Sequence, residues 1–288
     1  MSSFVRNFST LASLPIPGQF LRMNSEETAI DLPRLPCRQF KDGVWRSFQD
    51  EAALEVPVTL ALALSRDLPQ ALNLSLVSDM APASDPTPPS GDGVLDHLWA
   101  FPDGLSELTL GHALLDHCPS GMVPTIAELG PRSYRATFSP GSPPPGLPWP
   151  GPLRPIDILS GATRFLAMAG RWDATGCFHR AALFDPTAKT FMHHVEDIGR
   201  HNCLDRLAGW ALARGLPLGG RVLYVTARAT ASLTAKAVRS GYAVMVSRSA
   251  VTTAGVELAR EAGLTLVGFS RENRFSVFID IHGRIENL

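Results

Sequence analysis

The sequence predicts an α/β fold: a mixed, largely parallel sheet with helices on both faces, preceded by a smaller, irregular α+β part. Three observations predict it. From Ile156 onward short apolar strands alternate with amphipathic helices, and each such unit is a crossover that builds parallel sheet. Before that point two proline-rich stretches break the chain. The block His193-His194-Val195-Glu196-Asp197-Ile198-Gly199-Arg200-His201-Asn202 stands where an apolar run ends and a helix begins, and open α/β sheets bind their ligands at such junctions.

In order along the chain, residues 1–50 read as an N-terminal extension. Met1–Gln19 is Ser-rich with one Arg and lacks the apolar centre of a signal peptide. Residues 51–155 read as the smaller region. Within it, Leu54–Leu64 alternates as a strand, and Leu105–His117 has apolar residues at helical spacing with Ser106 or Asp103 as N-cap. Asp79–Gly93 and Ser139–Pro155 are too rich in proline for a regular ladder or helix. Residues 156–288 read as the larger, ligand-binding domain. Ile156–Gly170 is a helix that Gly161 weakens. Phe178–Phe184 and Phe191–Val195 pair through the turn Asp185-Pro186-Thr187. Asn202–Arg214 is a helix closed by Gly215, Arg221–Thr226 a buried strand, and Thr230–Ser240 a helix stopped by Gly241. Ala243–Ser247, Thr252–Ala262 and Leu264–Phe269 continue as strand, helix and strand, with Phe275–Asp280 as an edge strand.

Composition excludes several classes. Of 288 residues 45% are hydrophobic and 18% charged, with a net charge of −1, so no polybasic nucleic-acid surface is expected and any anion recognition is local. No run reaches the roughly 18 to 20 apolar residues of a membrane span, and the protein reads as cytoplasmic. Cys37, Cys118, Cys177 and Cys203 form no C-x-x-C, which argues against a zinc ribbon or disulfide framework.

The loops after the strands carry the chemistry. Thr226-Ala227-Arg228-Ala229-Thr230, Ser247-Arg248-Ser249 and Phe269-Ser270-Arg271-Glu272-Asn273-Arg274 join Arg200, His201 and Asn202 at one sheet edge. A helix start leaves N–H groups free, and arginine forks onto phosphate oxygens, so this edge suits an anionic, phosphate-bearing ligand. The alternative is that several arginines face solvent or pair with Glu272, Glu257 or Asp205. Glu196 and Asp197 could grip hydroxyls, amino groups or a base edge. His179, His193, His194 and His201 lack the acidic or thiol partners at helical spacing that a metal site normally brings, so no metal is expected there. No G-x-G-x-x-G, P-loop lysine motif or G-x-S-x-G is present.

Together these residues resemble the FdhD family, accessory sulfurtransferases of formate dehydrogenase. Glu196-Asp197-Ile198-Gly199-Arg200-His201-Asn202 with Leu204-Asp205-Arg206-Leu207-Ala208-Gly209 resembles its EDiGRHNalDKxxG signature. Thr175–Ala182 resembles TGGxHxAA, Ser247–Ala254 resembles vSAPTxxA, and Leu264–Phe269 resembles LTLVGF; Glu55-Val56-Pro57 and Phe101–Gly111 also fit. The resemblance implies a three-layer, cytidine-deaminase-like domain that binds the molybdenum cofactor in its guanine dinucleotide form (bis-molybdopterin guanine dinucleotide), for which GDP or GMP would be a mimic. It implies a cysteine desulfurase as sulfur donor, a formate dehydrogenase or related molybdoenzyme as client, and a homodimer as an assembly to look for. The implied ligand residues are Phe269, Ser270, Arg271, Glu272, Asn273 and Arg274, with His179, Glu196, Asp197, Arg200, His201, Asn202, Arg228, Lys236 and Ser249. The deaminase zinc element P-C-x-x-C is absent.

Two departures bear on chemistry. The family's sulfur-carrying C-G-x-C-G loop finds its nearest counterpart in Ser139-Pro140-Gly141-Ser142, and a hydroxyl cannot carry a persulfide. Ser232 stands where the family has a Glu, while Lys236 keeps the family lysine. Cys177, at the second glycine of TGGxH, is the candidate relocated thiol. Two functions therefore stay open: sulfur transfer to the cofactor, or a cofactor-binding chaperone or assembly factor without persulfide chemistry.

Overall fold

Why the second half of this chain forms one large sheet is visible in its alternating burial. A computed structural model describes residues 30–63 and 94–286. Its largest sheet contains β7 (His179–Asp185), β8 (Thr190–Asp197), β9 (Val222–Val225), β10 (Val244–Ser247), β11 (Thr265–Arg271) and β12 (Arg274–Ile279), in the order β12-β11-β10-β9-β7-β8. Successive side chains leave a strand on opposite faces. Leu183, Leu223, Val225, Met245 and Leu266 therefore share one core with Leu204, Leu207, Leu233 and Ala259. Phe184, Val222, Tyr224, Val246 and Val267 share the other with Ile158, Ala162 and Phe165. The first core is covered by α4 (Arg200–Ala213), α5 (Ala231–Arg239) and α6 (Thr253–Glu261), and the second by α2 (Pro155–Leu166). The sheet is thus clad by helices on both faces.

Its parallel part is narrower than the strand–helix alternation implies. β9–β10 and β10–β11 are parallel, whereas β7–β8, β7–β9 and β11–β12 are antiparallel. The reason is connectivity: β7–β8 and β11–β12 are tight hairpins, which only antiparallel strands can use. Gly161 does not end α2. A Cβ there would lie 2.4 Å from the Tyr224 hydroxyl, so the glycine is required by helix-to-sheet contact.

The first half holds more regular structure than its prolines suggest. β3 (Val56–Ala63), β4 (Val94–Ala100), β5 (Met122–Gly130) and β6 (Ser133–Pro140) make a four-stranded sheet in the order β4-β3-β6-β5. Val58, Leu60, Leu62, Tyr134 and Ala136 pack on Leu108 of α1 (Leu105–His112), which runs into a π-turn over Ala113–His117. Ser139 and Pro140, expected in a break, end β6. The expected break Asp79–Gly93 lies outside the described residues. The expected N-cap of α1 is corrected. Gly104 (φ 50) occupies that position without a side-chain cap, because Asp103 is turned toward Arg171, 3.1 Å away. Upstream, β1 (Arg34–Lys41) and β2 (Val44–Glu51) form a hairpin around Asp42-Gly43, both at positive φ as a two-residue turn needs. Leu35, Phe40, Val44 and Trp45 of that hairpin are exposed. The described residues from Leu32 onward belong to one compact unit.

The two sheets are joined where α1 crosses α4. At Gly111 a Cβ would lie 1.8 Å from the Asp205 carbonyl oxygen, and at Gly209 it would lie 1.8 Å from that of Glu107. Each glycine lets the other helix's backbone approach. This crossing fixes the start of α4 against the first sheet. Among the described residues no helix is long and apolar enough to cross a membrane.

Candidate functional site

The parallel strands β9, β10 and β11 end at one edge of the large sheet, and antiparallel β7 begins there at His179 while β8 ends there at Asp197. The loops that the sequence singled out therefore do lie along a common edge. Thr230 caps α5 by accepting from Leu233 N, and Thr252 caps α6 by accepting from Gly255 N. The N-cap of α4 is Gly199, with no side-chain cap. Its first-turn N–H groups have no side-chain acceptor of that kind, and they carry the positive end of the helix dipole.

The expected site residues divide into two sets. One set is committed to holding the edge together. Asp197 is fully buried; its Oδ1 accepts from Gly199 N and Asn202 Nδ2, both at 2.9 Å, and its Oδ2 accepts from Arg206 Nε at 2.8 Å and Nη2 at 2.6 Å. Asn202 Nδ2 also donates to Trp99 O, while Arg206 donates to the carbonyls of Phe101 and Asp103. Glu196 is forked by Arg180 at 3.1 and 2.6 Å and accepts from Arg171 N at 2.7 Å. Lys236 is buried on Asp205 and Asp116, and Ser249 Oγ donates to Thr226 O. Every polar atom in these contacts already has a partner inside the fold.

The arginines of the second set make no ion pair with a described carboxylate. Arg200 Nε is buried without a hydrogen-bond partner among the described residues, and so is Ser270 Oγ, whose residue is only 2% exposed. Arg228, Arg248, Arg271 and Arg274 are exposed, with no ion pair to a described carboxylate. Arg271 faces Arg274 directly across the β11–β12 turn, where like charges repel. Glu272 and Asn273 form that turn, Glu272 at φ 56, and Phe269 enters it at φ 52. Burial lowers the pKa of His179, and the charges of Arg200 and Arg228 lower it further. Burial also lowers that of His201, with Lys236 and Arg200 adding to the effect; its Nε2 lies 3.0 Å from Ser232 Oγ. The position that departs from the family Glu thus contacts the signature histidine. Unpaired guanidinium groups, orphaned buried donors and neutral imidazoles make an edge fitted for phosphate oxygens.

Thiol chemistry is placed differently. Ser139 pairs with Val123 at the end of β6, and Gly141 N donates to Gly121 O. Cys203 is fully buried, and burial pushes its thiol well above the usual value; Cys118 is half-buried and shifted the same way. Cys177 is exposed, two residues before His179 at the head of β7. His193, expected in the polar block, stacks on Trp210 with ring centroids 4.2 Å apart, and burial brings its pKa down to about 4. Among the described residues, convergent metal-ligating atoms occur in two overlapping groups, Asp96–His112–His117 and His112–Asp116–Asp205. Neither contains His179, His193, His194 or His201. Sequence reasoning missed the first group because its members come from β4 and from both ends of the π-turn.

Comparison with known proteins bears on this edge. A model of the FdhD/NarQ family matches residues 141–286, just over half of the chain, which spans the large sheet and all its edge loops. The chain belongs to the FdhD/NarQ family. Proteins named sulfur carrier protein FdhD from Staphylococcus aureus are similar to it: 37% identity over 126 residues in strain JH9 and 36% over the same length in strain Newman. These alignments cover 44% of this chain and 47% of the relatives, so the chain spans about half the length of the curated relatives it matches. The fold is similar to a solved structure from Desulfotalea psychrophila, described as a formate dehydrogenase accessory protein, with a TM-score of 0.65 at 20% identity. That similarity covers 88% of this chain and 99% of the other. Ser139 falls just outside the family match and Ser142 just inside it.

Proposed function

We propose that the protein binds the guanine dinucleotide form of the molybdenum cofactor along the arginine edge and serves as an accessory factor in maturing a formate dehydrogenase or related molybdoenzyme. The observation that carries this reading is Arg200, whose Nε is buried with no partner among the described residues, beside a helix start without a side-chain cap. Leaving a buried N–H donor without a partner costs about 1–3 kcal/mol, and a phosphate oxygen would satisfy it. Arg228, Arg271 and Arg274 supply exposed cations for the remaining phosphates of a polyanionic ligand. Asp197, Asn202 and Arg206 position this edge without touching the ligand, so the family signature acts here partly as a brace. The names of the similar proteins, sulfur carrier and formate dehydrogenase accessory protein, support the same reading.

Calorimetry with GDP and GMP as mimics tests it. The protein should bind GDP, and Arg228→Ala should weaken binding about 10-fold, as loss of a charge-assisted hydrogen bond does. No binding, or binding unchanged by Arg228→Ala, would sink the assignment.

A second reading, sulfur transfer, rests on the exposure of Cys177 near the head of β7. In that reaction the Cys177 thiolate attacks the outer sulfur of a desulfurase persulfide, and the donor cysteine leaves as thiolate. The Ser139–Ser142 segment offers no thiol, which favours the binding reading without transfer. Incubation with a cysteine desulfurase and substrate cysteine separates the two. Persulfide found on wild type and lost in Cys177→Ala supports transfer; no persulfide on wild type leaves cofactor binding alone.

A further inference from the structure

We propose that Asp96, His112 and His117 bind one divalent transition-metal ion of the zinc class, at a site separate from the nucleotide edge. Asp96 Oδ2 lies 2.9 Å from His112 Nε2 and 2.8 Å from His117 Nε2, and the two imidazole nitrogens are 3.3 Å apart. Zinc–nitrogen and zinc–oxygen bonds of about 2.0–2.1 Å put neighbouring ligands of a tetrahedron about 3.3 Å apart, close to this spacing. Two imidazoles and one carboxylate are a donor set that suits zinc and its first-row neighbours.

The surroundings match what such an ion needs. His112 Nδ1 lies 3.0 Å from Asp116 Oδ2 and 3.3 Å from Asp205 Oδ2, a carboxylate–histidine contact that aims Nε2 at the ion. Asp96 Oδ1 accepts from His97 N at 2.8 Å, which holds the carboxylate in place. The two Nε2 atoms and Asp96 Oδ2 converge on one another, so a single metal ion can engage all three at once.

The neighbouring trio His112–Asp116–Asp205 is not the site. Lys236 Nζ already lies 2.6 Å from Asp116 and 2.5 Å from Asp205, and Arg239 Nη2 lies 2.8 Å from Asp116, so two cations offset these two carboxylates. Both histidines are 7% exposed, while the Asp96 side chain is 34% exposed, so the cluster opens to solvent on one side. Three protein ligands leave a fourth position for water or an external donor. The π-turn creates the geometry. Five residues along an α-helix separate two side chains by roughly 140°, and the wider turn swings His117 back beside His112. The ion would tie β4 to the end of α1, next to the crossing with α4.

The test uses the full, untagged chain stripped with a chelator and titrated with Zn²⁺ against a chromogenic competitor. One equivalent should bind, His117→Gln and Asp96→Asn should each weaken it about 10-fold or more, and Zn²⁺ should raise the melting temperature of wild type only. Co²⁺ on wild type should give the intense visible bands of a four-coordinate site, a readout that needs no variant to fold. No saturable equivalent, no such Co²⁺ spectrum, or binding equal in wild type and both variants would overturn the site.

Discussion

Replacing Arg206 with Met should cost more stability than any other single change at the arginine edge. The guanidinium is 6% exposed, gives two hydrogen bonds to the fully buried Asp197 carboxylate, and donates to the carbonyls of Phe101 and Asp103. Methionine fills similar volume but leaves Asp197 as a buried charge without its partner. Breaking one side of a buried ion pair costs about 3–5 kcal/mol. For a domain of this size that lowers the melting temperature by roughly 6–20 °C. Arg206→Lys, which keeps the charge and loses the fork, should fall between wild type and Met. Urea unfolding followed by circular dichroism gives the free energy directly. A loss under about 1 kcal/mol for Arg206→Met would refute the bracing role assigned to the signature.

Further outcomes follow from other contacts. Gly209→Ala places a Cβ against the Glu107 carbonyl, and overpacking of that kind costs about 1–3 kcal/mol or more, so α1 and α4 should separate and the protein should melt earlier; an unchanged melting temperature would contradict the close crossing. His193 has a folded pKa of about 4 against an ordinary 6.5. The unfolded chain therefore binds the extra proton, and its contribution to stability is lost as pH falls from about 6.5 to 4. His193→Phe, which can keep the stack on Trp210, should flatten the stability–pH curve over that window, and a curve parallel to wild type would count against it. A brief pulse of iodoacetamide on native protein should label Cys177 first and leave Cys203 unlabelled, as mass spectrometry of peptides can show. Labelling of Cys203 at the same rate would mean that α4 opens readily.

Much of the larger sheet was legible in the sequence because its elements are short, regular and bounded by glycines. Gly215 and Gly241 sit at positive φ just past α4 and α5, where the sequence puts the helix stops. The four-stranded sheet was harder to read. Pro124 lies inside β5 and Pro140 ends β6, and proline argues against a strand unless the strand is at an edge, as β5 is. Strand direction was only partly legible, because alternation does not reveal that β7 runs against β9. The free arginines were legible as a pattern of loops after strands. Sequence alone could not show that Glu196, Asp197, Asn202 and Lys236 are occupied inside the fold, since a charged residue looks the same whether it meets a ligand or a buried partner. His112 and His117 escaped notice because their spacing converges only through a π-turn.

The reading that this edge holds a guanine nucleotide through unpaired arginines is tested most directly by titrating wild type and Arg228→Ala with GDP at two salt concentrations. Wild type should bind, binding should weaken as salt screens the exposed cations, and the variant should bind about 10-fold more weakly at low salt. Absence of binding in wild type, or equal affinity in the two proteins, would contradict it.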